Sequence, residues 1–246
     1  MKRKIITTAD GSSTIQIEDW NEQYHSIHGA IQEANHVYIK HGFLFFAEGG
    51  SQQTEKIPHP EKHLTKLTKN SKINILEIGF GTGLNALLTF LKSNELDIKI
   101  NYTGVEAYPI SSAELAQLNY NDKLKFDDLI FQKMHQIPWE QPKKVSANFV
   151  LEKQQKFFQN ISAEQKFDVI YFDAFGPRVQ PELWTEDIFR IMYRALRDNG
   201  VLTTYSAKGS VRRALQTVGF TVERLEGPPG KREMLRGTKH SRSEAS

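Results

Sequence analysis

The stretch that decides the fold is "KINILEIGFGTGLN", residues 72–85. Residues 72–78 are mostly β-branched or apolar and read as a buried strand, and "GLNALLTFLKSN", residues 83–94, has the apolar spacing of a helix. Between them stand Gly79, Gly81 and Gly83. Such a loop lets the backbone approach a ligand closely and points a helix N-terminus at a polar or anionic group. The spacing is G-x-G-x-G. A dinucleotide fingerprint needs glycine or alanine at position 84, where this chain has Leu84, and a phosphate loop needs G-K-[ST], which is absent. Glu77 precedes the glycines on the strand.

Downstream, strands and helices alternate. "IKINYTGVEAY" (98–108) reads as a strand and "SSAELAQLNYN" (111–121) as a helix with a serine cap. "SANFVLE" (146–152) is a strand followed by a short helix to about Asn160, and "KFDVIYFDAF" (166–175) is a buried strand. "TEDIFRIMYRALRDNG" (185–200) reads as a helix with Thr185 as N-cap and Gly200 at its C-terminal stop. "GVLTTYS", "GSVRRALQTVG", "FTVERLEG" and "REMLRGT" follow as strand, helix and two strands. The strands are nearly continuously apolar, as in a sheet covered on both faces. The pattern predicts an α/β fold with a doubly wound, mostly parallel Rossmann-like sheet. The last two strands leave little room for a helix between them and are expected to pair as an antiparallel edge.

Before residue 61 the signals are mixed. "TIQIED" (14–19) alternates like a strand after the turn "ADGSS", and "VYIKHGFLFFAEG" (37–49) suggests one further strand or short helix and then a loop. Residues 1–60 are expected to form a small β-rich extension, residues 61–240 the main domain and residues 241–246 a flexible tail. "KIPHPEKHL" (56–64) reads as a connector.

Composition sets outer bounds. The chain has 246 residues, enough for one full domain with a sizeable core. It has no cysteine, which excludes disulfides, thiolate metal sites and a cysteine nucleophile and fits a cytoplasmic location. No apolar run approaches a membrane span, and the basic N-terminus lacks the apolar segment of a secretory signal. The histidines show no two-histidine-plus-acid spacing on one helix, so no metal is expected. The net charge is +3, yet residues 201–246 hold nine Lys+Arg against four Asp+Glu. That basic end is either a footprint for a polyanion such as RNA or a solvated tail.

Two acidic residues complete the glycine-loop motif. Glu106 ends the second strand, where a carboxylate can accept hydrogen bonds from both ribose hydroxyls of a nucleotide-like ligand. Glu77 with the three glycines is similar to motif I of class I S-adenosylmethionine-dependent methyltransferases. Asp173 ends the strand in "FDVIYFDAFGPRVQPELW" (167–184), and ligands of open α/β sheets bind outside the carboxyl ends of the strands. Methyl transfer to an amine needs a neutral lone pair, so a carboxylate there can orient the amine and accept a hydrogen bond from it. An unperturbed aspartate is a poor base near pH 7, which favours positioning over full deprotonation. Asp168, at the other end of that strand, is expected far from the site. Pro177 and Pro181 stiffen the following loop. Trp184 is expected in the core, and Phe175 is a candidate for base stacking.

"EIGFGTGLN", "DAFGPRVQPELWTEDIF" and "SAKGSVRRALQTVGFTVERLEGPPGKREMLRG" together resemble the methyltransferase domain of the MnmC tRNA-modification family. "WNEQYHS" and "EANHVYI" resemble that family's N-terminal region, with Tyr24 and Glu33 in matching positions. The resemblance runs from about Asp19 to Thr238. It implies S-adenosylmethionine as cofactor and transfer of its methyl to the amine of 5-aminomethyl-(2-thio)uridine at the tRNA wobble position. The implied cofactor contacts are Glu77, Gly79, Phe80, Gly81, Gly83, Asn85 and Glu106, with Asp173 catalytic. Tyr24, Phe175, Lys208, Lys231 and Arg232 are the implied substrate and RNA contacts; Arg212 and Arg213 could also hold phosphates. The chain has no room for the family's FAD-dependent oxidase domain, so a stand-alone methyltransferase is expected, with a separate oxidase or other wobble-modifying enzymes acting in the same pathway. After the third strand the family's G-D pair is missing; Glu152 or Gln154 would have to substitute at the adenine. The alternatives are an aminopropyltransferase of the spermidine-synthase type, disfavoured by the prolines and the basic end, and an S-adenosylmethionine-dependent methyltransferase of another substrate. A nicotinamide dehydrogenase is disfavoured by Leu84, and a non-catalytic RNA-binding protein by the retained acids and glycines.

Overall fold

The computed structural model describes residues 2–50 and 72–241. The chain opens with a small antiparallel sheet of β1 (Arg3–Thr7), β2 (Ser13–Ile17) and β3 (Glu22–Gln23). Helix α1 (Ala30–Ala34) then leads through a π-helical stretch, Asn35–Leu44, into α2 (Phe45–Ala47). Residues 37–49, expected as a strand or short helix and a loop, are therefore mostly the continuation of one helix. Consecutive residues Val37, Tyr38 and Ile39 are buried, so no single apolar face announced it. The connector at 56–64 and the boundary expected near residue 60 lie outside the described residues, as does the tail beyond residue 241.

Next come β4 (Lys72–Ile78), α3 (Leu84–Glu95), β5 (Lys99–Glu106), α4 (Ser112–Leu115), α5 (Tyr120–Leu124) and α6 (Asp128–Gln136). Ser111 caps α4 in a capping box with Glu114, as its sequence suggests. The helix α6, capped by Asp127, was not foreseen. They are followed by β6 (Lys143–Lys144), β7 (Phe149–Gln155), β8 (Phe167–Phe172), α7 (Glu186–Ala195), β9 (Leu196–Thr204), α8 (Gly209–Thr217), β10 (Thr221–Glu226) and β11 (Glu233–Thr238). Gly200 is no helix stop: it lies within β9. The helix ends earlier because Leu196 is fully buried in strand pairing with Phe167. There Lys239 Nζ donates to the carbonyls of Tyr193 (3.0 Å) and Leu196 (2.7 Å).

The main sheet has the order β10-β11-β9-β8-β4-β5-β7-β6. Its five central strands are parallel, β10 and β11 form the expected antiparallel edge, and β6 adds a short antiparallel strand at the other edge. Alternation along β8 splits the core: Val169 and Tyr171 pack with Val37, Tyr38 and Leu87 on one face, whereas Ile170 and Phe172 pack with Trp184, Phe189 and Leu215 on the other. The helix of residues 30–47 thus belongs to a covering layer of the main sheet.

Candidate active site

A cavity of about 970 Å³ opens at the carboxyl ends of the central strands. The glycine loop forms its floor. Gly79 and Gly81 have φ values of +87° and +51°, and an added Cβ would lie 2.6 Å from the Asp173 carbonyl oxygen or 2.9 Å from Tyr24 Cδ1. A side chain at either point would push the loop off the neighbouring strand end or off Tyr24. Glu106, one strand over, accepts from Gly81 N (3.1 Å) and Tyr108 N (2.9 Å). Each carboxylate oxygen keeps capacity for a further donor. The Phe80 ring is buried against Gly104, with Trp139 edge-on and His135 tilted against it, leaving its backbone as the part that shapes the loop.

Behind the loop, three polar residues are wired together. Asn85 Nδ2 donates to Glu77 Oε1 (2.8 Å) and to Asp173 Oδ2 (2.9 Å). Tyr102 donates to Glu77 Oε2 (2.9 Å), and Tyr38 donates to Asp173 Oδ1 (2.6 Å). Glu77 is buried, and burial pushes its carboxyl well above the ordinary range against the hydrogen bonds from Asn85 and Tyr102. Asp173 touches the cavity but is otherwise ringed by protein. Burial pushes its carboxyl up to about 7; Glu33 adds to the rise, while Tyr38, Asn85 and Lys231 oppose it. This changes the expectation of a poor base. An aspartate titrating near neutrality is poised to exchange a proton at working pH.

The substrate end is built from more distant pieces. Phe175 packs edge-on against Trp20 (5.5 Å between centroids) and Tyr24 (4.9 Å), and all three line the cavity. Trp184 is buried against Phe172 and Phe189, with its Nε1 donating to Phe175 O at 2.8 Å, so it fills the core as expected. Arg178, for which the sequence suggests no role, ion-pairs with Glu22 at 3.0 Å and ties this loop to the small sheet. Lys208 and Arg232 are exposed at the cavity wall. Lys231 is different: its ammonium is ion-paired to the buried Glu33 and lies 3.9 Å from the Tyr205 ring centroid. It is not a free cation awaiting a phosphate. Arg212 and Arg213 do not line the cavity.

Several residues around Asp173 and the cavity escape a reading of the sequence. Tyr38 and Tyr205 approach Asp173 from the helix of residues 30–47 and from the end of β9, and Glu33, singled out only through the family resemblance, lies nearby on that same helix. At the far end, Tyr108 and Phe157 are exposed and meet edge-on at 6.0 Å, with Phe158 and Gln159 beside them in the wall. Glu152 and Gln154, the expected substitutes at an adenine, do not line the cavity; Gln154 Nε2 donates to Glu152 at 2.7 Å.

A parallel sheet of this order with a glycine loop and an acid at the end of the second strand defines a class I methyltransferase fold. Residues 109–240 match the family described as S-adenosyl-L-methionine-dependent methyltransferases, and the chain belongs to that family. It is 28% identical over 257 residues to the tRNA 5-methylaminomethyl-2-thiouridine biosynthesis bifunctional protein MnmC of Hydrogenovibrio crunogenus. That alignment covers 98% of this chain and 35% of the relative, so the chain spans about a third of the curated relative it matches. The solved structure of MNMC2 from Aquifex aeolicus has the same fold, with a TM-score of 0.74 at 24% identity over 98% of this chain and 71% of that one. A spermidine synthase in complex with the transition state analogue AdoDATO gives a TM-score of 0.50 at 15% identity, covering 93% and 70% of the two chains.

The cavity suits the family's cofactor. Asn85 Oδ1 is buried beside it with no hydrogen-bond partner among the described residues, an acceptor suited to the amino group of a methionine moiety. Glu106 offers acceptors for a ribose, and Tyr108 and Phe157 offer aromatic surface for a base.

Proposed function

We propose that the protein methylates the primary amine of 5-aminomethyl-(2-thio)uridine at the tRNA wobble position, forming the methylaminomethyl nucleoside. The observation that carries this reading is Asp173. Its carboxylate faces the cavity beside the glycine loop, is held by two neutral donors, and titrates near neutrality. The name of the Hydrogenovibrio relative supplies the product nucleoside, from which the unmethylated amine follows as substrate.

In this reading Gly79, Phe80 and Gly81 hold the cofactor through their backbone, Asn85 accepts from its amino group and Glu106 from its ribose; Gly83 does not line the cavity, and its N–H donates to Phe80 O at 2.8 Å, closing the turn. Glu77 is a positioning residue that fixes Asn85. Tyr108 and Phe157 flank the adenine. When bound, S-adenosyl-L-methionine supplies an electrophilic methyl group on its sulfonium. Asp173 accepts a proton from the substrate ammonium, which leaves the nitrogen lone pair free. Tyr38 and Asn85 keep the carboxylate in one orientation and stabilise its ionised form, so the base is preorganised. Phe175, backed by Tyr24 and Trp20, stacks on the target base, and exposed Lys208 and Arg232 meet RNA phosphates. The protein works in the cytoplasm on tRNA. Among the described residues no helix is long and apolar enough to cross a membrane.

The test is nucleoside mass spectrometry after incubating the protein with hypomodified tRNA and S-adenosyl-L-methionine. Gain of one methyl group on 5-aminomethyl-(2-thio)uridine is expected. Methylation of any other nucleoside, or of none, would overturn the assignment.

A further inference from the structure

Lys231 sits in a cage. Its ammonium pairs with Glu33 and lies over the Tyr205 ring at 3.9 Å. Glu33 is buried on α1, where Ser26 N also donates to it at 2.6 Å. The Tyr205 hydroxyl donates to Ala174 O at 2.9 Å, which fixes the ring that Lys231 covers. Asp173 is close enough to feel both Glu33 and Lys231 electrostatically, and Tyr205 feels both carboxylates. A buried carboxylate, an aromatic face and a second carboxylate are the parts that recognise a desolvated cation. The group filling them here is a primary ammonium at the end of an unbranched carbon chain.

A substrate aminomethyl group carries the same head. A primary aliphatic amine has a pKa near that of lysine, roughly 10, so it arrives as an ammonium. Resting on the proposed wobble-uridine reading, we propose that Glu33, with Tyr205, is the specificity-determining element that binds the substrate as a cation, and that Lys231 is an internal occupant of this cage which the substrate displaces. Lys231 lies on a short turn, with Lys231 N donating to Pro228 O at 2.9 Å and Gly227 N to Arg232 O at 3.1 Å. Its side chain keeps 31% of its surface exposed, so rotation of the side chain alone can carry the ammonium out towards solvent. A substrate with a neutral hydroxymethyl group cannot replace the ammonium on Glu33 and meets a filled cage. Once the substrate ammonium is in place, an N–H bond breaks and an O–H bond forms on Asp173. The proton stays inside the cage and the net charge of the pair is unchanged. Glu33 favours this transfer as well as binding, because its charge raises the affinity of Asp173 for the proton.

The test measures binding to the protein loaded with S-adenosyl-L-homocysteine, using anticodon hairpin RNAs that carry 5-aminomethyluridine, 5-hydroxymethyluridine or uridine. The wild type should prefer the aminomethyl over the hydroxymethyl RNA by about tenfold, the scale of one desolvated charge contact. Glu33→Gln, which keeps the shape and the acceptor for Ser26 N, should abolish that preference. Lys231→Met, which removes the competing ammonium, should tighten aminomethyl binding by several-fold and hydroxymethyl binding by much less. An unchanged preference in folded Glu33→Gln overturns the proposal, as does Lys231→Met weakening both RNAs equally. If Glu33→Gln fails to fold by circular dichroism, Lys231→Met decides alone: tighter aminomethyl binding supports the cage, and unchanged or weaker binding overturns it. Benzylamine and benzyl alcohol separate this proposal from the reading beneath it. Glu33-dependent binding of benzylamine over benzyl alcohol, with no preference among the RNAs, keeps the cation cage and removes the wobble-uridine substrate. An RNA preference indifferent to Glu33 and Lys231 keeps the substrate and removes the cage.

Discussion

Asp168 and Asp173 stand at the two ends of β8, about 17 Å apart along an extended chain, and their surroundings differ in kind. At the amino end, Asp168 accepts two hydrogen bonds from Arg197 Nη1, at 2.9 and 3.2 Å, and two more from the backbone and side chain of Asn74. A full positive charge answers it, and Arg197 is half exposed, so the ion pair costs little desolvation. At the carboxyl end, Asp173 has only neutral donors in direct contact, Tyr38 and Asn85, and a second acid, Glu33, nearby. The same side chain is neutralised at one end and left underpaid at the other. That difference is what separates an aspartate that holds a sheet together from one that can take up a proton.

The largest effect expected from this contrast is on turnover. Asp173→Asn keeps the shape and the contact with Tyr38 but cannot accept a proton, so methyl transfer should fall by about 10³-fold, within the usual range for a lost general base. Binding of S-adenosyl-L-methionine, measured by calorimetry, should change by no more than about threefold, because Asp173 is not one of the proposed cofactor contacts. Retained turnover in a folded variant would remove Asp173 from the chemistry.

Next in size is the dependence on pH. Asp173 must be ionised to act as base, so kcat/KM should rise about tenfold per pH unit at low pH and level off above its folded pKa of about 7. Stability runs the opposite way. The folded pKa is raised from 3.8 to about 7, so the native state holds this proton more tightly than the unfolded chain. Stability is therefore lost as pH rises from about 4 to about 7 and is flat for this group above that. Urea melts at pH 5 and pH 8 should show a larger drop for the wild type than for Asp173→Asn. Equal drops would mean that Asp173 is not the group titrating in that window.

Tyr38 sharpens the same end. Its hydroxyl donates to Asp173 at 2.6 Å and favours the ionised form, so Tyr38→Phe should move the midpoint of the rate profile upward by about one pH unit. At pH 7 the rate should drop by about fivefold and recover at higher pH. A loss of rate with an unmoved midpoint would make Tyr38 a packing residue only.

Tyr38 also shows where the sequence stops being legible. The glycine loop could be read because its constraint is local: a strand, three glycines and a helix lie consecutively, and the backbone takes the positive φ that they allow. The same holds for Asp173 at a strand end, for the capping serine of α4 and for the final hairpin, whose short connection forces antiparallel pairing. Tyr38 lies on a π-helical stretch where Val37, Tyr38, Ile39, Gly42 and Phe43 are all buried. Wider winding and burial on several sides erase the 3.6-residue period by which a helix is recognised, and β-branched and aromatic residues imitate a strand. Glu33 and Lys231 are joined only by the fold, across most of the chain. Lys231 therefore looks like a surface cation, and its buried partner leaves no local trace. The far end of the cavity is lined by Tyr108 and Phe157, just past the ends of β5 and β7, and two aromatic side chains from separate strand ends leave no motif in the sequence.

The smallest expected effect on catalysis, and the one that closes the comparison, is at Asp168. Asp168→Asn leaves one acceptor for Asn74 but removes the charge that pairs with Arg197. Because Arg197 can turn to solvent, the loss should be only about 1–2 kcal/mol, a fall in Tm of a few degrees for a domain of this size. The rate should stay within about twofold of the wild type and its pH midpoint should not move, since about 17 Å separates the two carboxylates and Arg197 already offsets the charge of Asp168. Should Asp168→Asn shift the pH midpoint, the two ends of β8 are coupled electrostatically through the sheet. The near-neutral titration of Asp173 would then have to be explained by the whole strand rather than by Tyr38, Asn85, Glu33 and its own burial.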